Sequence, residues 1–364
     1  MRLIAVNELK PGDTLGKTIF NENGQALLHS GATFTELVIK RLRNYDITYV
    51  YVDEPGTEDI EAAYPISEKL RMEAIHSIKG AFRSVKNPKR GRQEYVTQKS
   101  RASMIEIVRS LMTELQSHKE VLSLLSDVFT YDDYIFTHSL NVTMYTLALG
   151  KQLQLPTRRL EDLGLGAILH DVGKMNVPKE ILLKEGKLSR EEFETIQHHT
   201  EAGFEILRKA PNIPLTAAHC AFQHHERLDG SGYPRGLVSD EIHLYGKILA
   251  IADVFDAVTS DRIYRKAMLP HEGLEILYSG AGQLFDKEMV EEFRKCIAIY
   301  PNGVTVSLSD GRSGIVVRQN PHLCDRPVIR MFKENGQAVE ETYDLDLSKE
   351  LSVVVAKCDT TSAG

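Results

Sequence analysis

The hydrophobic pattern changes along the chain, and each change predicts a different kind of structural unit. Residues 1–62 hold short apolar runs separated by turn signals such as Pro11-Gly12, together with one helical stretch for which Thr35 is the predicted N-cap. Within this unit the β-branched run from Ile47 to Val52 predicts a strand. A small α+β module is therefore expected at residues 1–62.

Helical spacing of apolar residues dominates the middle of the chain. It predicts a helical linker region over residues 63–119 and an all-α helical bundle core over residues 120–300. After residue 300 apolar and polar residues alternate, and a second strand-like run, Leu351–Val355, lies near the end. The chain is thus predicted to be multidomain, and residues 301–364 are expected to form a small β module with a flexible tail.

Composition excludes several classes of function. The 364 residues include 44 Lys and Arg against 51 Asp and Glu, which gives a formal net charge of -7. This balance argues against a dedicated binder of nucleic acid polymers, which usually carries a basic excess. No apolar run approaches the roughly 20 residues of a membrane span, and the N-terminal segment lacks the hydrophobic stretch of a signal peptide. We therefore expect a cytoplasmic protein without membrane insertion.

Histidine is concentrated in the predicted helical core. Eight of the 13 histidines lie between His138 and His243, and carboxylates adjoin them, as in His170-Asp171. Asp253 sits inside an otherwise apolar stretch, where a buried charge needs a partner or a metal. Successive His or Asp positions are separated by 25 to 32 residues, about one helix plus a loop. Consecutive helices of a bundle would therefore offer ligands to one common interior.

The chemistry of these side chains indicates a metal centre. Imidazole and carboxylate groups without thiolates suit iron, manganese or zinc better than a sulfur-loving ion. Adjacent residues on a helix diverge by about 100°, so pairs such as His170-Asp171 and His224-His225 can serve two neighbouring metals. Two metals roughly 3.5–4 Å apart would hold a bridging hydroxide for attack on phosphorus. The pattern predicts hydrolysis of a phosphoester.

Four segments in this region resemble the HD-GYP branch of the HD phosphohydrolases. In chain order they are HDVGK (His170–Lys174), LLKEGKLSREEFETIQHHTEAG (Leu182–Gly203), HHERLDGSGYPRGL (His224–Leu237) and AIADVFDAVTSDRIYRKA (Ala250–Ala267). The resemblance covers roughly residues 120–300. It implies an HD-type helical bundle whose metal centre hydrolyses cyclic di-GMP, a bacterial second messenger, to linear pGpG and in some members to GMP.

The resemblance also implies roles for single residues. The metal ligands would be His138, His170, Asp171, His199, His224, His225 and Asp253. Asp171 would be catalytic as a bridging ligand, and Lys174 matches the lysine that contacts the scissile phosphate. Further substrate contacts would come from Gly232, Tyr233 and Pro234 of the signature and from the basic positions Arg262 and Arg265.

Three positions refine this assignment. His198 and His199 compete for one ligand position, and the segment HTEAG favours His199. Some family members carry a glutamate four residues before the first ligand histidine, where it helps to hold a third metal, but here that residue is Tyr134. We therefore expect two divalent ions, iron or manganese, rather than three. Asp256 is expected to orient a ligand or to cap a loop.

Three functions stay open at this point. The unbroken ligand set favours a cyclic di-GMP phosphodiesterase. The alternatives are a non-hydrolytic sensor or scaffold, which binds cyclic di-GMP or a diguanylate cyclase through the Gly232–Pro234 loop, and an HD phosphohydrolase for another cyclic dinucleotide or nucleotide. The amphipathic helices predicted between Ser67 and Val128 fit either packing within the chain or a homodimer.

Overall fold

The computed structural model describes most of the chain. The described residues are 1–20, 26–45, 47–61, 65–86, 98–117, 134–182, 184, 186–211, 213–260, 267–320, 323–334 and 336–359. They form an α+β unit, a helical region and a β-sheet, in the order that the hydrophobic pattern predicts. The predicted helical core and the small β module are confirmed.

The N-terminal module is built around one central strand. Its elements are β1 (Arg2–Ala5), β2 (Thr14–Leu15), β3 (Ile19–Phe20), β4 (Ala26–Leu28), α1 (Glu36–Asn44) and β5 (Tyr49–Asp53), with a 3-10 turn at Val6–Glu8. β5 pairs antiparallel with β1 and β2, while β3 and β4 pair with each other. The Thr35 hydroxyl accepts a hydrogen bond from the Val38 amide and thereby caps α1, as the sequence predicts.

The helical region follows directly. Its helices are α2 (Glu68–Lys86), α3 (Gln98–Ser117), α4 (Tyr134–Gln152), α5 (Thr157–Leu169), α6 (Lys179–Leu182), α7 (Arg190–Gln197), α8 (His199–Arg208), α9 (Leu215–Gln223), α10 (Leu244–Thr259), α11 (Pro270–Ser279) and α12 (Lys287–Arg294). Two 3-10 turns, Val172–Asn176 and Ser239–Glu241, lie between them. The helix predicted to reach Val128 is described only as far as Ser117, because residues 118–133 lie outside the described ranges.

Helix α4 is buried on nearly all of its faces and separates two hydrophobic clusters. Leu140 and Met144 pack into a cluster with α2, α3 and α5. Val142 and Tyr145 pack into a second cluster with α10, α11 and α12. Residues 136–147 of this helix are all buried, so a charged or polar side chain such as His138 is stabilised there by partners inside the protein.

The C-terminal module is a five-stranded antiparallel sheet. Its strands are β6 (Thr305–Leu308), β7 (Ser313–Arg318), β8 (Val328–Glu334), β9 (Gln337–Asp346) and β10 (Val355–Asp359), in the spatial order β10-β6-β7-β8-β9. The hydrophobic pattern did not predict β9. This edge strand exposes most of its side chains and is rich in acidic residues, so it lacks the apolar alternation of a half-buried strand.

The strand predicted at Leu351–Val355 is wrong in its position, because β10 begins only at Val355. The guanidinium of Arg326 donates hydrogen bonds to the carbonyls of Leu347, Leu351 and Val353 at 3.2 to 3.3 Å. These contacts hold the segment before Val355 as a turn. The apolar side chains that suggested a strand differ in burial, because Val353 is buried and Leu351 is exposed.

The N-terminal and C-terminal modules pack against each other and share one hydrophobic cluster. Leu3 and Tyr51 from the N-terminal module meet Val304 and Val316 from the C-terminal module. The Leu3 amide also donates a hydrogen bond to the Gly303 carbonyl at 2.9 Å. Sequence analysis treats the two modules as separate units, so this shared core is a feature that only the tertiary structure reveals.

Arg330 adds a polar link between the same two modules. Its guanidinium, on β8, contacts the Asp59 carboxylate at 2.6 and 2.8 Å and the Asp344 carboxylate on β9 at 3.0 Å. Arg330 is largely shielded from water, whereas both of its acidic partners are exposed. The shared hydrophobic cluster is therefore expected to contribute more to the junction than these ion pairs.

Replacing Leu3 by Ala tests whether the two modules are one unit. Leu3 is fully buried, and a Leu→Ala cavity costs roughly 2–5 kcal/mol. We expect Leu3→Ala to speed amide hydrogen exchange in β6 and β7 as well as in β1. Leu37→Ala is the control, because Leu37 is 60% exposed on α1. Faster exchange confined to residues 1–61 in Leu3→Ala would contradict the shared core.

Candidate metal centre

The seven side chains that the sequence predicts as metal ligands converge at one place in the helical region. They come from α4 (His138), the end of α5 (His170, Asp171), the start of α8 (His199), the end of α9 (His224, His225) and α10 (Asp253). All are buried except His225, which is half-buried. Of the two adjacent histidines predicted for one ligand position, His198 points to solvent beside Glu201, whereas His199 points inward.

The carboxylate of Asp171 lies between two groups of imidazoles. Its Oδ2 atom is 3.5 Å from Nε2 of His138 and 3.5 Å from Nε2 of His170. Its Oδ1 atom is 3.4 Å from Nε2 of His199 and 3.7 Å from Nε2 of His224. Each oxygen therefore faces its own pair of nitrogens, and the carboxylate lies between the two groups.

Asp253 also reaches both groups. Its Oδ1 atom is 3.0 Å from Nε2 of His138, and its Oδ2 atom is 3.7 Å from Nδ1 of His225. Donor atoms within each group lie within 4.8 Å of one another, in the sets His138, His170, Asp171 and His199, His224, His225. The described residues thus hold two adjoining three-residue sets of potential ligands, and two carboxylates span them.

Close backbone approach brings Asp171 to His199. The 3-10 turn Val172–Asn176 packs so tightly on the start of α8 that a Cβ atom at Gly173 would lie 1.9 Å from the His199 carbonyl oxygen. No residue with a side chain fits there without moving the backbone. The glycine of HDVGK is therefore required for the geometry of the centre.

Backbone carbonyls orient three of the imidazoles. Nδ1 of His170 lies 2.7 Å from the Ala167 carbonyl, and Nδ1 of His199 lies 2.7 Å from the Ile196 carbonyl. Nδ1 of His224 makes the same kind of contact with a carbonyl one turn earlier in its own helix. Donation of Nδ1–H fixes the tautomer and leaves the Nε2 lone pair directed at the centre, as metal-binding histidines require.

A side-chain network orients His138. Its Nδ1 atom is 2.7 Å from Oδ2 of Asp256, in agreement with the role expected for Asp256. The amide of Asn141 donates to Oδ1 of Asp256 at 3.0 Å, and the Ser260 hydroxyl donates to the same oxygen at 2.9 Å. Asn141 is a residue that the sequence motifs did not indicate, although its position three residues after His138 in an apolar helix was an available signal. Tyr134 stacks on the His138 ring, with 5.5 Å between centroids.

The two buried carboxylates are held in their ionised form. Burial alone would raise the pKa of Asp171, but the ammonium of Lys174 and the surrounding imidazoles hold this pKa well below its usual range. Burial likewise opposes ionisation of Asp253, and the hydrogen bond from His138 helps to keep its pKa well below its usual range. Both carboxylates are thus anionic at neutral pH.

The imidazoles respond to the same environment. Burial lowers the pKa of His199 to about 4 and lowers the pKa of His225 well below its usual range. Burial acts on His138 in the same direction, but the carboxylates of Asp253 and Asp256 outweigh it and raise this pKa to about 9. At neutral pH His199 and His225 are therefore neutral, as metal ligands must be, whereas His138 carries a proton that a bound divalent ion would displace.

Two buried atoms of the centre support this fit. Nε2 of His170 and Oδ1 of Asp171 have no hydrogen-bond partner among the described residues. A buried polar atom without a partner costs roughly 1–3 kcal/mol, so native structures rarely leave one. Both atoms point into the centre at positions where a metal ion would pair with them. The residues present therefore fit divalent metal ions.

The loop that contains Gly232, Tyr233 and Pro234, here called the signature loop, folds over the His225 side of the centre. A Cβ atom at Gly232 would lie 2.4 Å from the His225 carbonyl oxygen, and the Tyr233 amide donates to that carbonyl at 3.2 Å. The Tyr233 ring stacks on the His225 ring, with centroids 4.6 Å apart. Pro234 follows a cis peptide bond. Two other predicted substrate contacts, Arg262 and Arg265, lie outside the described residues.

A buried glutamate that sequence analysis did not single out closes this loop. The carboxylate of Glu226 accepts hydrogen bonds from the Arg235 amide and from the Leu237 amide, both at 2.9 Å. Glu226 is nearly inaccessible to water. It therefore joins the two ends of the loop that carries Tyr233, and its position directly after the His224-His225 pair was the signal available in the sequence.

Lys174 lies at the solvent side of the centre. Its Nζ atom contacts Oδ2 of Asp171 at 2.6 Å, and its side chain keeps 18% of its surface exposed. Its positive charge is one of the causes that lower the pKa values of His199 and His225, so it acts on the whole centre. A negatively charged group approaching from solvent would meet this ammonium next to the bridging carboxylate.

Comparison with protein families identifies the class of the chain. A family model described as "HD domain" matches residues 102–289, and a model described as "KOW domain associated with HD domain" matches residues 305–363. The chain belongs to the HD domain family. The family resemblance carried by the four sequence motifs is thereby confirmed.

Two curated relatives are similar to part of this chain. Cyclic di-GMP phosphodiesterase PA4108 of Pseudomonas aeruginosa is 35% identical over 227 residues, which cover 62% of this chain and 55% of the relative. The 3'3'-cGAMP-specific phosphodiesterase 1 of Vibrio cholerae is 41% identical over 144 residues, 40% of this chain and 33% of the relative. The chain thus spans about half the length of the first relative.

Among solved structures, Bd1817, an HDG"Y"P protein from Bdellovibrio bacteriovorus, aligns with a TM-score of 0.48 at 17% identity. The alignment covers 80% of this chain and 97% of that one. Among the helices that the structure describes, none combines the length and the apolar content that crossing a bilayer requires.

Asp256→Ala tests the network around His138. Loss of a carboxylate that orients a metal-binding histidine typically lowers metal affinity roughly 10- to 100-fold. We expect this drop in the affinity for Mn²⁺, measured by competition with a chelator. Asp240→Ala is the matched control, because Asp240 is exposed on the turn Ser239–Glu241. Equal Mn²⁺ affinity in the two variants would show that Asp256 does not position His138.

Glu226→Ala tests the closure of the signature loop. Both the Arg235 and the Leu237 amides would lose their acceptor, and we expect their hydrogen exchange to accelerate while metal content stays unchanged. Glu241→Ala is the control, because Glu241 also accepts from a nearby backbone amide but is exposed. Slow exchange of residues 235–237 in Glu226→Ala would mean that other contacts hold the loop.

Proposed function

We propose that the chain is a metal-dependent phosphodiesterase that hydrolyses cyclic di-GMP to linear pGpG. The observation that carries this proposal is the position of Asp171, whose two carboxylate oxygens face two separate sets of imidazoles. A dinuclear centre with a bridging carboxylate is suited to displacement at phosphorus. The name of the Pseudomonas aeruginosa relative supports cyclic di-GMP as the substrate.

The proposed ligands divide between two divalent ions, iron or manganese. His138 and His170 would hold one ion, His199 and His224 the other, and Asp171 would bridge them. Further ligands would be His225 and Asp253. All of these donors are nitrogen or oxygen, which supports iron or manganese over a sulfur-loving ion. The number two is supported by Tyr134, which places an aromatic ring on His138 instead of a third-metal carboxylate.

The two ions would supply Lewis-acid activation of water and of the phosphodiester. The protein's own groups would do the rest. Lys174 would direct its ammonium at a non-bridging phosphate oxygen and stabilise the negative charge that grows there. Backbone carbonyls behind His170 and His199 hold both rings in place, so little reorganisation is needed during the reaction. Gly232, Tyr233 and Pro234 would shape the substrate side, with Arg262 and Arg265 as further phosphate contacts.

A second candidate is hydrolysis of 3'3'-cGAMP. It is supported by the Vibrio cholerae relative, which carries that specificity in its name. The two substrates share the cyclic phosphodiester ring and differ in one base, so the metal centre described here would serve both. Incubation of Mn- or Fe-loaded protein with each dinucleotide, followed by chromatography of the products, decides between them and separates pGpG from GMP.

Asp171→Ala is the decisive variant for the proposed chemistry. Removal of the bridging carboxylate separates the two sets of ligands, and we expect turnover of cyclic di-GMP to fall by at least about a thousandfold. Product chromatography measures it, with Asp240→Ala as the exposed control. Near-normal turnover in metal-loaded Asp171→Ala would refute the assignment. Binding without turnover in the wild-type protein would instead support the sensor alternative.

The other partners named by the sequence analysis stay predictions. They are binding of a diguanylate cyclase through the Gly232–Pro234 loop and formation of a homodimer. The cytoplasmic location also stays a prediction.

A further inference from the structure

Helix α7 presents an aromatic ring to solvent beside the metal centre. None of the eight residues of α7 is buried, and Phe193 is 47% exposed. A single exposed aromatic residue is common on protein surfaces and carries no conclusion alone. The position of Phe193 relative to the proposed ligands is what distinguishes it.

A series of rings connects Phe193 to the centre. The Phe193 ring lies 6.2 Å from the Tyr233 ring, centroid to centroid, with an angle of 78° between the ring planes. Tyr233 in turn stacks on the imidazole of His225 and lies 6.5 Å from that of His199. One ring therefore separates the exposed Phe193 from two of the proposed metal ligands.

The position of Phe193 is fixed from both ends of α7. At its start, Ser189 and Glu192 form a reciprocal capping box, and Lys184 binds the Glu192 carboxylate at 2.6 Å. At its end, the Ile196 carbonyl lies 2.7 Å from Nδ1 of His199. The helix is thus tied to the same histidine that faces Asp171. Phe193, one turn before Ile196, is held at a set distance from the centre without contributing to a core.

We propose that Phe193 and Tyr233 form the base-binding corner of the substrate site. This inference rests on the proposed function and extends it. With an angle of 78° between their planes, the two rings would let a flat purine stack on one ring and place its edge against the other. The phosphate of the same nucleotide would lie at the ammonium of Lys174. Stacking suits every base, so this corner would bind guanine and adenine alike.

Phe193→Ala tests this corner. Loss of one base–aromatic stack predicts an increase in KM for cyclic di-GMP of roughly tenfold or more, with kcat changed by less than about twofold. Phe193→Tyr keeps the ring and should keep KM within about threefold of the wild-type value. Leu215→Ala is the control for loss of an exposed apolar side chain, because Leu215 is 57% exposed at the start of α9. Metal content should be equal in all four proteins.

The outcomes separate this inference from the proposed function. An unchanged KM in Phe193→Ala, or an equal increase of KM in Leu215→Ala, would refute the base-binding corner. The proposed phosphodiesterase function would not be affected by either result. A loss of bound metal in Phe193→Ala would also refute the base-binding corner, because Phe193 would then act on the centre. If the wild-type protein binds cyclic di-GMP in calorimetry without releasing product, the proposed function fails. In that case a Kd raised roughly tenfold in Phe193→Ala still supports the corner, and an unchanged Kd refutes it.

Discussion

The buried negative charge of Asp171 is the constraint on which the helical domain depends. A carboxylate with no access to water must be surrounded by groups that favour its ionised form. Here four imidazole nitrogens lie within 3.7 Å of its oxygens, and the Lys174 ammonium lies at 2.6 Å. Because these groups come from four different helices and one turn, α4, α5, α8 and α9 have to meet at this point.

Helix ends supply much of the precision of the centre. His170, His199 and His224 each lie at a helix end and contact a carbonyl of the turn that precedes them. The orientation of each ring therefore follows from backbone geometry, which few substitutions can change. His138 is the exception, since it lies inside α4 and its ring is oriented by the side chain of Asp256. The centre is thus most sensitive to side-chain substitution on the α4 side.

Local patterns predicted the parts of the structure that local forces determine. The helical spacing, the Thr35 cap and the convergence of His and Asp positions follow from periodicity and from the length of a helix plus a loop. The contacts that escaped prediction join residues distant in sequence or lack a hydrophobic signature: the exposed strand β9, the shared core around Leu3, and the amide contacts of Glu226 with residues 235 and 237. The motifs identified the side chains that converge, but only the folded chain shows which oxygen of Asp171 faces which imidazole.

The shared core of the two small modules has a topological consequence. Leu3 and Gly303 lie side by side, so the helical domain is an insertion into one composite body, attached to it at both of its ends. The helical domain also packs on this body directly, since Leu269 lies in the shared core and Cys324 lies in the cluster of α10, α11 and α12. A displacement of the composite body would therefore act through these contacts on the cluster that α4 shares with α10, α11 and α12, one side of the helix that carries His138.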